Sequence, residues 1–197
     1  MADKLASATR IITAPPFGAF LLATILFFYD SMIFGSLLMY CAMVLFLTVL
    51  PTVAYPLQPF VPFFKGKGRK GQRDLAFVTS VIGYICGIVF AFLTGATKAV
   101  FIIYFAYFLS VAILALVNQV SRWKASGHAC GAAGLVVGLV YFTNFKAMPM
   151  LLFFVAMSWA SLRMKRHTVT ELILGGLASL SAFVIVVTTA HFVAAAN

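Results

Sequence analysis

Long apolar runs alternate with short polar islands along the whole chain. Apolar residues dominate 11–29, 32–55, 75–94, 100–120, 130–145, 148–162 and 168–193. A helix of about 20 residues crosses roughly 30 Å of hydrocarbon, and shorter runs suffice where the bilayer thins or the helix is enclosed. The pattern predicts an all-α, polytopic transmembrane bundle of six or seven spans, in a single membrane-embedded domain over 1–197. The fifth and sixth runs are short and share one stretch broken by Thr143-Asn144-Phe145-Lys146 and Pro149. They form either a tight helical hairpin or a break that lowers the count. Pro51, Pro56, Pro59 and Pro62 predict an irregular exit from the second span. Gly83 and Gly87, and Gly134 and Gly138, stand four apart, as closely packed membrane helices require. Lys4 and Arg10 precede the first run as in a signal peptide, but the run continues to Phe27-Phe28-Tyr29-Asp30 with no small-residue cleavage pattern, which predicts an uncleaved first span.

Composition agrees with the pattern. With 63% hydrophobic and 9% charged residues and 21 Phe in 197, there is too little polar surface to cover a soluble globule. The chain reads as a multi-pass integral membrane protein. Its formal net charge of +10 does not point to nucleic acid, because the cations lie in short loops with no stacking or groove-reading module. Membrane lipid with anionic headgroups is the expected partner. By the helix count, all Lys and Arg except Lys98 and Lys146 fall on one face, which the positive-inside bias assigns to the cytoplasm. Cys41, Cys86 and Cys130 have no metal-ligand spacing and read as buried thiols. Trp123 and Trp159 read as interfacial anchors, Asp30 as a solvated loop residue, and His191 as a polar residue near the opposite face.

The chemistry is concentrated in three islands, 65–74, 124–128 and 163–171. Two spans separate each island from the next, so all three emerge on one face and can converge. Two imidazoles, a carboxylate and a surplus of Lys and Arg equip such a site to displace a phosphate. One histidine attacks phosphorus, another protonates the leaving oxygen, and the cations absorb charge.

Ser126-Gly127-His128, followed two helices later by His167 with an acid at Glu171, and preceded two helices earlier by Arg73 in a basic loop, resembles the three-part signature of the type 2 phosphatidic acid phosphatase superfamily. The resemblance covers roughly 65–176. It implies a metal-independent membrane phosphatase acting on a lipid or polyprenyl phosphate or diphosphate through a phosphohistidine, with a site that in relatives commonly faces outward. The departures are specific. Gly66 stands seven residues before Arg73, where the family pattern has Lys. Asp74 and Ala125 replace prolines, Ser161 falls where an Arg is expected, and Glu171 replaces Asp.

The residues carry a physical account of their own. His167 is the candidate nucleophile, and Glu171, one helical turn on, holds its tautomer and stabilises the imidazolium. His128 is the candidate acid for the leaving group. Ser126 and Gly127 donate to phosphate oxygens at a helix start, where the dipole favours an anion. Arg73 and Arg69 offer guanidinium forks, Lys67 or Lys65 adds a point charge, and Lys124 assists. Arg163, one turn before His167, is expected to supply the guanidinium missing at Ser161. Asp3, Asp30, Asp74 and Glu171 are the only acids, so neither a Mg²⁺ site nor any cofactor is expected. The alternative reading is a catalytically degenerate relative that binds or transports lipid phosphates. A channel or unrelated transporter would need intramembrane ionisable residues or paired broken helices, which the runs almost entirely lack.

Overall fold

The computed structural model describes residues 2–196; Met1 and Asn197, the ends of the single expected domain, lie outside them. Helices α1 (Ala2–Ile12) and α2 (Pro15–Tyr29) meet at a 55° bend. The break falls on Thr13-Ala14, and Pro15 and Pro16 open α2, where first-turn amides have no intrahelical acceptor to lose. The expected continuous span over 11–29 is therefore absent. α2 alone, at 15 residues, rises only about 22 Å.

α3 (Leu37–Val44) starts on the Ser36 hydroxyl, which accepts from the Met39 amide at 3.2 Å. It runs through one π turn (Leu45–Val49) into α4 (Leu50–Leu57) and a closing 3-10 turn (Gln58–Phe60). The Leu50 amide reaches back five residues to the Leu45 carbonyl, just before Pro51, which has no amide proton to offer. Thr48 bonds the Pro16 carbonyl at 3.1 Å and ties this rod to α2. α5 (Gly68–Thr94) ends on Gly95 in the left-handed region, with φ of 63°. α6 (Lys98–Val120) is capped by Thr97, and α7 (Gly127–Thr143) by Ser126. A 3-10 segment (Asn144–Met150) turns the chain into α8 (Leu151–Arg163), and α9 (Val169–Ala196) closes the bundle.

Four of these rods are long and apolar enough to cross a membrane: Leu37–Phe60, Gly68–Thr94, Lys98–Val120 and Val169–Ala195. Counting the bent α1–α2 pair as one span makes five. The six or seven expected from sequence are not reached on length, because α7 has 17 residues and α8 has 13. Pro149 and the 3-10 segment separate these two.

α2 and α7 pack in the middle of the molecule, and α9 covers α6 and α7. Leu22, Leu26, Met43, Leu47, Tyr104, Leu135 and Leu139 fill the core. The expected glycine contacts are present. A Cβ on Gly87 would strike the Tyr104 ring, one on Gly83 the Phe46 carbonyl, and one on Gly138 the Leu22 side chain. The outer faces stay apolar, with Phe28, Phe92, Leu93 and Leu152 exposed. Cys41 and Cys86 lie on those outer faces, contrary to the buried reading, and only Cys130 is buried. Both helices face outward at those positions, and an apolar run does not reveal which of its sides faces in.

Candidate functional site

One cavity of about 560 Å³ gathers residues from the start of α5, the start of α7, the start of α9 and the last turn of α1. Arg73, Lys124, Gly127, His128, His167 and Glu171 all line it, so the three islands converge.

The third island is built by the exit from α8 and the entry to α9. Lys165 takes a positive φ of 52°, and the Arg166 amide returns to the Ser161 carbonyl at 3.0 Å. Thr168 then caps α9. Its hydroxyl accepts from the Glu171 amide at 3.3 Å, and its own amide donates to Glu171 Oε2 at 3.1 Å. This reciprocal pair is a capping box, worth about 1 kcal/mol. The same Oε2 lies 2.9 Å from His167 Nδ1. A carboxylate only accepts, so Nδ1 carries a proton and Nε2 is the ring nitrogen turned away from Glu171. His167 and Glu171 are mostly shielded, with side chains 16% and 19% exposed.

The second island hangs on α9. The Ser126 amide donates to the Glu171 carbonyl at 2.9 Å, so one glutamate orients His167 through its side chain and holds the other histidine's loop through its backbone. Gly175 makes this approach possible, because any Cβ there would strike the Ser126 carbonyl. Ser126 itself is fully buried, and its hydroxyl accepts from the Ala129 amide at 3.3 Å. It caps α7 and does not line the cavity, contrary to its expected role as a phosphate donor; Gly127 beside it does line it. His128 stands in the first turn of α7 and lines the cavity. Burial, then the neighbouring Arg10 and His167, push its imidazole down to about 3, opposed only in part by a backbone hydrogen bond with Arg10. His128 is therefore neutral while the site is empty.

The cations sort differently from the sequence expectation. Arg73 faces the cavity together with Asp74. Arg69 and Lys67 do not: both are exposed, and the Lys67 ammonium lies 4.0 Å from the centre of the Phe63 ring. Arg69 lies one turn before Arg73, about 6 Å further along the helix. Arg163 also fails as the replacement guanidinium, because it points outward and pairs with Asp3 at 3.2 Å, both groups being well exposed. Two arginines that the sequence reading passed over take part instead. Arg10 donates from Nη1 to the buried Ser161 hydroxyl at 3.1 Å and faces the cavity, as does Arg166. In the sequence Arg166 is one of the cations that flank a membrane helix, and Arg10 is a charge ahead of the first apolar run. The usable signal for Arg10 was Pro15-Pro16, a helix break that frees α1 to turn back over the site. α1 packs on α8 with Ala6 fully buried.

No family model matches the chain, and neither a curated protein nor a solved structure matches it. The geometry therefore carries the functional reading. It joins a histidine oriented by a carboxylate, a second histidine, and guanidinium groups from three different helices or turns around one cavity.

Proposed function

We propose that the protein is a multi-pass integral membrane phosphatase of the type 2 phosphatidic acid phosphatase kind, hydrolysing a lipid or polyprenyl phosphate or diphosphate. The observation that carries this reading is the His167–Glu171 pair at 2.9 Å, facing the same cavity as His128, Arg10, Arg73 and Arg166. His167 Nε2 attacks phosphorus while the P–O bond to the leaving group breaks, and the departing oxygen takes a proton from His128. Water then attacks the phosphohistidine. His128 takes the proton from that water, the P–N bond breaks, and orthophosphate leaves. The three guanidinium groups and Lys124 offset the charge on the equatorial oxygens. An arriving phosphate counters the field of Arg10 and so raises the affinity of His128 for the proton it must donate. In this reading α7 and α8 enter the bundle as a hairpin from the face that bears the site, which brings the number of apolar segments to the six or seven of the sequence pattern. Phosphate release from phosphatidic acid, phosphatidylglycerol phosphate, isoprenoid diphosphates and lipid-linked sugar phosphates tests the proposal. Failure on every substrate would remove it.

One observation favours a second reading, a relative that binds or transports lipid phosphates without cleaving them. Asp74 lines the cavity beside Arg73 and adds a second carboxylate to the wall that holds Glu171. Tight binding of the same lipids without phosphate release would establish that reading.

A further inference from the structure

A second concavity, of about 750 Å³, runs along the outer face between α6 and α9. The two helices touch at Ile102, Ala106 and Phe183, and beside that seam their side chains are unequal in length. α6 contributes Phe101, Phe105 and Leu109 on one stripe, whereas α9 contributes Ala190 and Ala194, which are too short to fill the space opposite. The aromatic wall is braced: Phe101 stacks on Phe105 with centroids 6.4 Å apart and meets Phe92 of α5 at 4.6 Å. One end of the groove carries a cation, Lys98, which is exposed and has no ion pair among the described residues. Every other side chain along it is uncharged. Lys98 opens α6, and Ala194 lies near the end of α9, a helix about 42 Å long whose first turn holds Glu171. The groove therefore begins at the end of the bundle away from His167.

We propose that this groove holds one acyl chain of an anionic phospholipid, whose headgroup pairs with Lys98, in the leaflet opposite the histidine site. The inference rests on the chain spanning a membrane and not on phosphate hydrolysis. From Lys98 to Leu109 the groove is about 16 Å long, against about 15 Å for the hydrocarbon of one leaflet. A tail lying in it starts at headgroup level and ends near the bilayer centre, as a phospholipid tail does. Charge decides between a lipid and a second copy of the protein. α6 has no acidic residue, and the only one on α9 is Glu171, at the far end beside His167. Two copies meeting symmetrically on this face would bring Lys98 against Lys98 with no carboxylate between them. A phospholipid brings the tail and the anion together.

The test puts a fluorescent reporter in the groove, Phe105→Trp, in the full chain with Trp123→Phe and Trp159→Phe, reconstituted in phosphatidylcholine vesicles. Its quenching is titrated with phosphatidylglycerol brominated on the acyl chains and with phosphatidylcholine brominated in the same way. The anionic lipid should associate about fivefold more strongly, the scale of one lysine acting on an acidic headgroup, and Lys98→Ala should bring the two lipids level. Thr189→Phe, which fills the groove from its exposed α9 wall, should also remove the preference with Lys98 still in place. The same reporter introduced as Cys41→Trp, exposed on α3 where there is no cation, should show no preference. Equal quenching by the two lipids at position 105, a preference that survives Lys98→Ala, or an equal preference at position 41 would each overturn the proposal. Weak quenching by both lipids at position 105 would overturn it in favour of a second copy covering the groove. Phosphate release is not read in this experiment, so its failure leaves the phosphatase reading standing, and a chain that releases no phosphate can still show the lipid preference.

Discussion

The Arg10 guanidinium meets the Ser161 hydroxyl at 3.1 Å across 151 residues of sequence. Ser161 is the position at which the phosphatase signature would carry its own arginine. A guanidinium thus reaches this position from α1, through a contact that no local spacing rule predicts.

Arg10→Ala should therefore lower kcat/KM for phosphate release by about a hundredfold, the scale of removing one donor to a developing oxyanion. Arg163→Ala should stay within about twofold, because an exposed pair with Asp3 contributes little. Steady-state kinetics on both variants checks the assignment, and the reverse order of effects would return the role to Arg163.

The two histidines have different tasks and should fail differently. His167→Ala should abolish turnover on every substrate. His128→Ala should lose about 10²-fold or more on a lipid alkoxide yet retain most activity on a nitrophenyl phosphate, whose leaving group departs without a proton. Glu171→Gln should fall between them, since an amide oxygen can keep the helix cap but compensates the imidazolium poorly. Equal losses for His128→Ala on both substrates would remove the acid role.

Acid should destabilise the empty protein through His128. Its pKa is pushed from 6.5 to about 3 on folding, so between those values the unfolded chain holds a proton that the folded chain does not. Stability attributable to this group is whole above pH 6.5 and falls as the pH drops towards 3. Thermal unfolding in detergent from pH 7.5 to 4.5 should show a declining Tm, with a shallower decline in His128→Gln. Identical slopes would show that other groups control the acid response.

Chelation should leave activity intact, and vanadate should inhibit it, because a trigonal-bipyramidal anion matches the displacement transition state. Activity lost in EDTA and restored by Mg²⁺ would contradict the histidine mechanism.

Sidedness is open to a direct measurement. The cation bias predicts that a cysteine at Lys65, in a chain whose native cysteines are replaced by serine, resists an impermeant thiol reagent in intact cells. Lys65 suits this better than Gly68, whose φ of 53° strains any side chain. Rapid labelling would place the site outside.

Much of this was legible in the sequence because it depends on order and parity. Two helices between successive islands bring His128, His167 and Arg73 to one cavity, and the four-residue step from His167 to Glu171 puts both groups on one side of a turn. What was not legible depends on rotation and on long-range packing. Arg163 has the right spacing from His167, but it lies in the last turn of α8, and the chain then leaves the helix through Lys165 at positive φ, so the helical step to His167 does not apply. Ser126 lies in a motif whose residues were all expected to face the ligand, yet α7 needed a cap and took its hydroxyl. Arg10 required knowledge that the first span bends.

That bend also sets a temporal order on the site. Its first guanidinium emerges from the ribosome with residue 10, the carboxylate that holds His167 only with residue 171. Until α9 is made, the Ser126 amide has no Glu171 carbonyl to hold it, and His167 has nothing to fix its tautomer. Every partly synthesised chain thus lacks the assembled cavity, and the groups that line it come together only when the last helix has been seated.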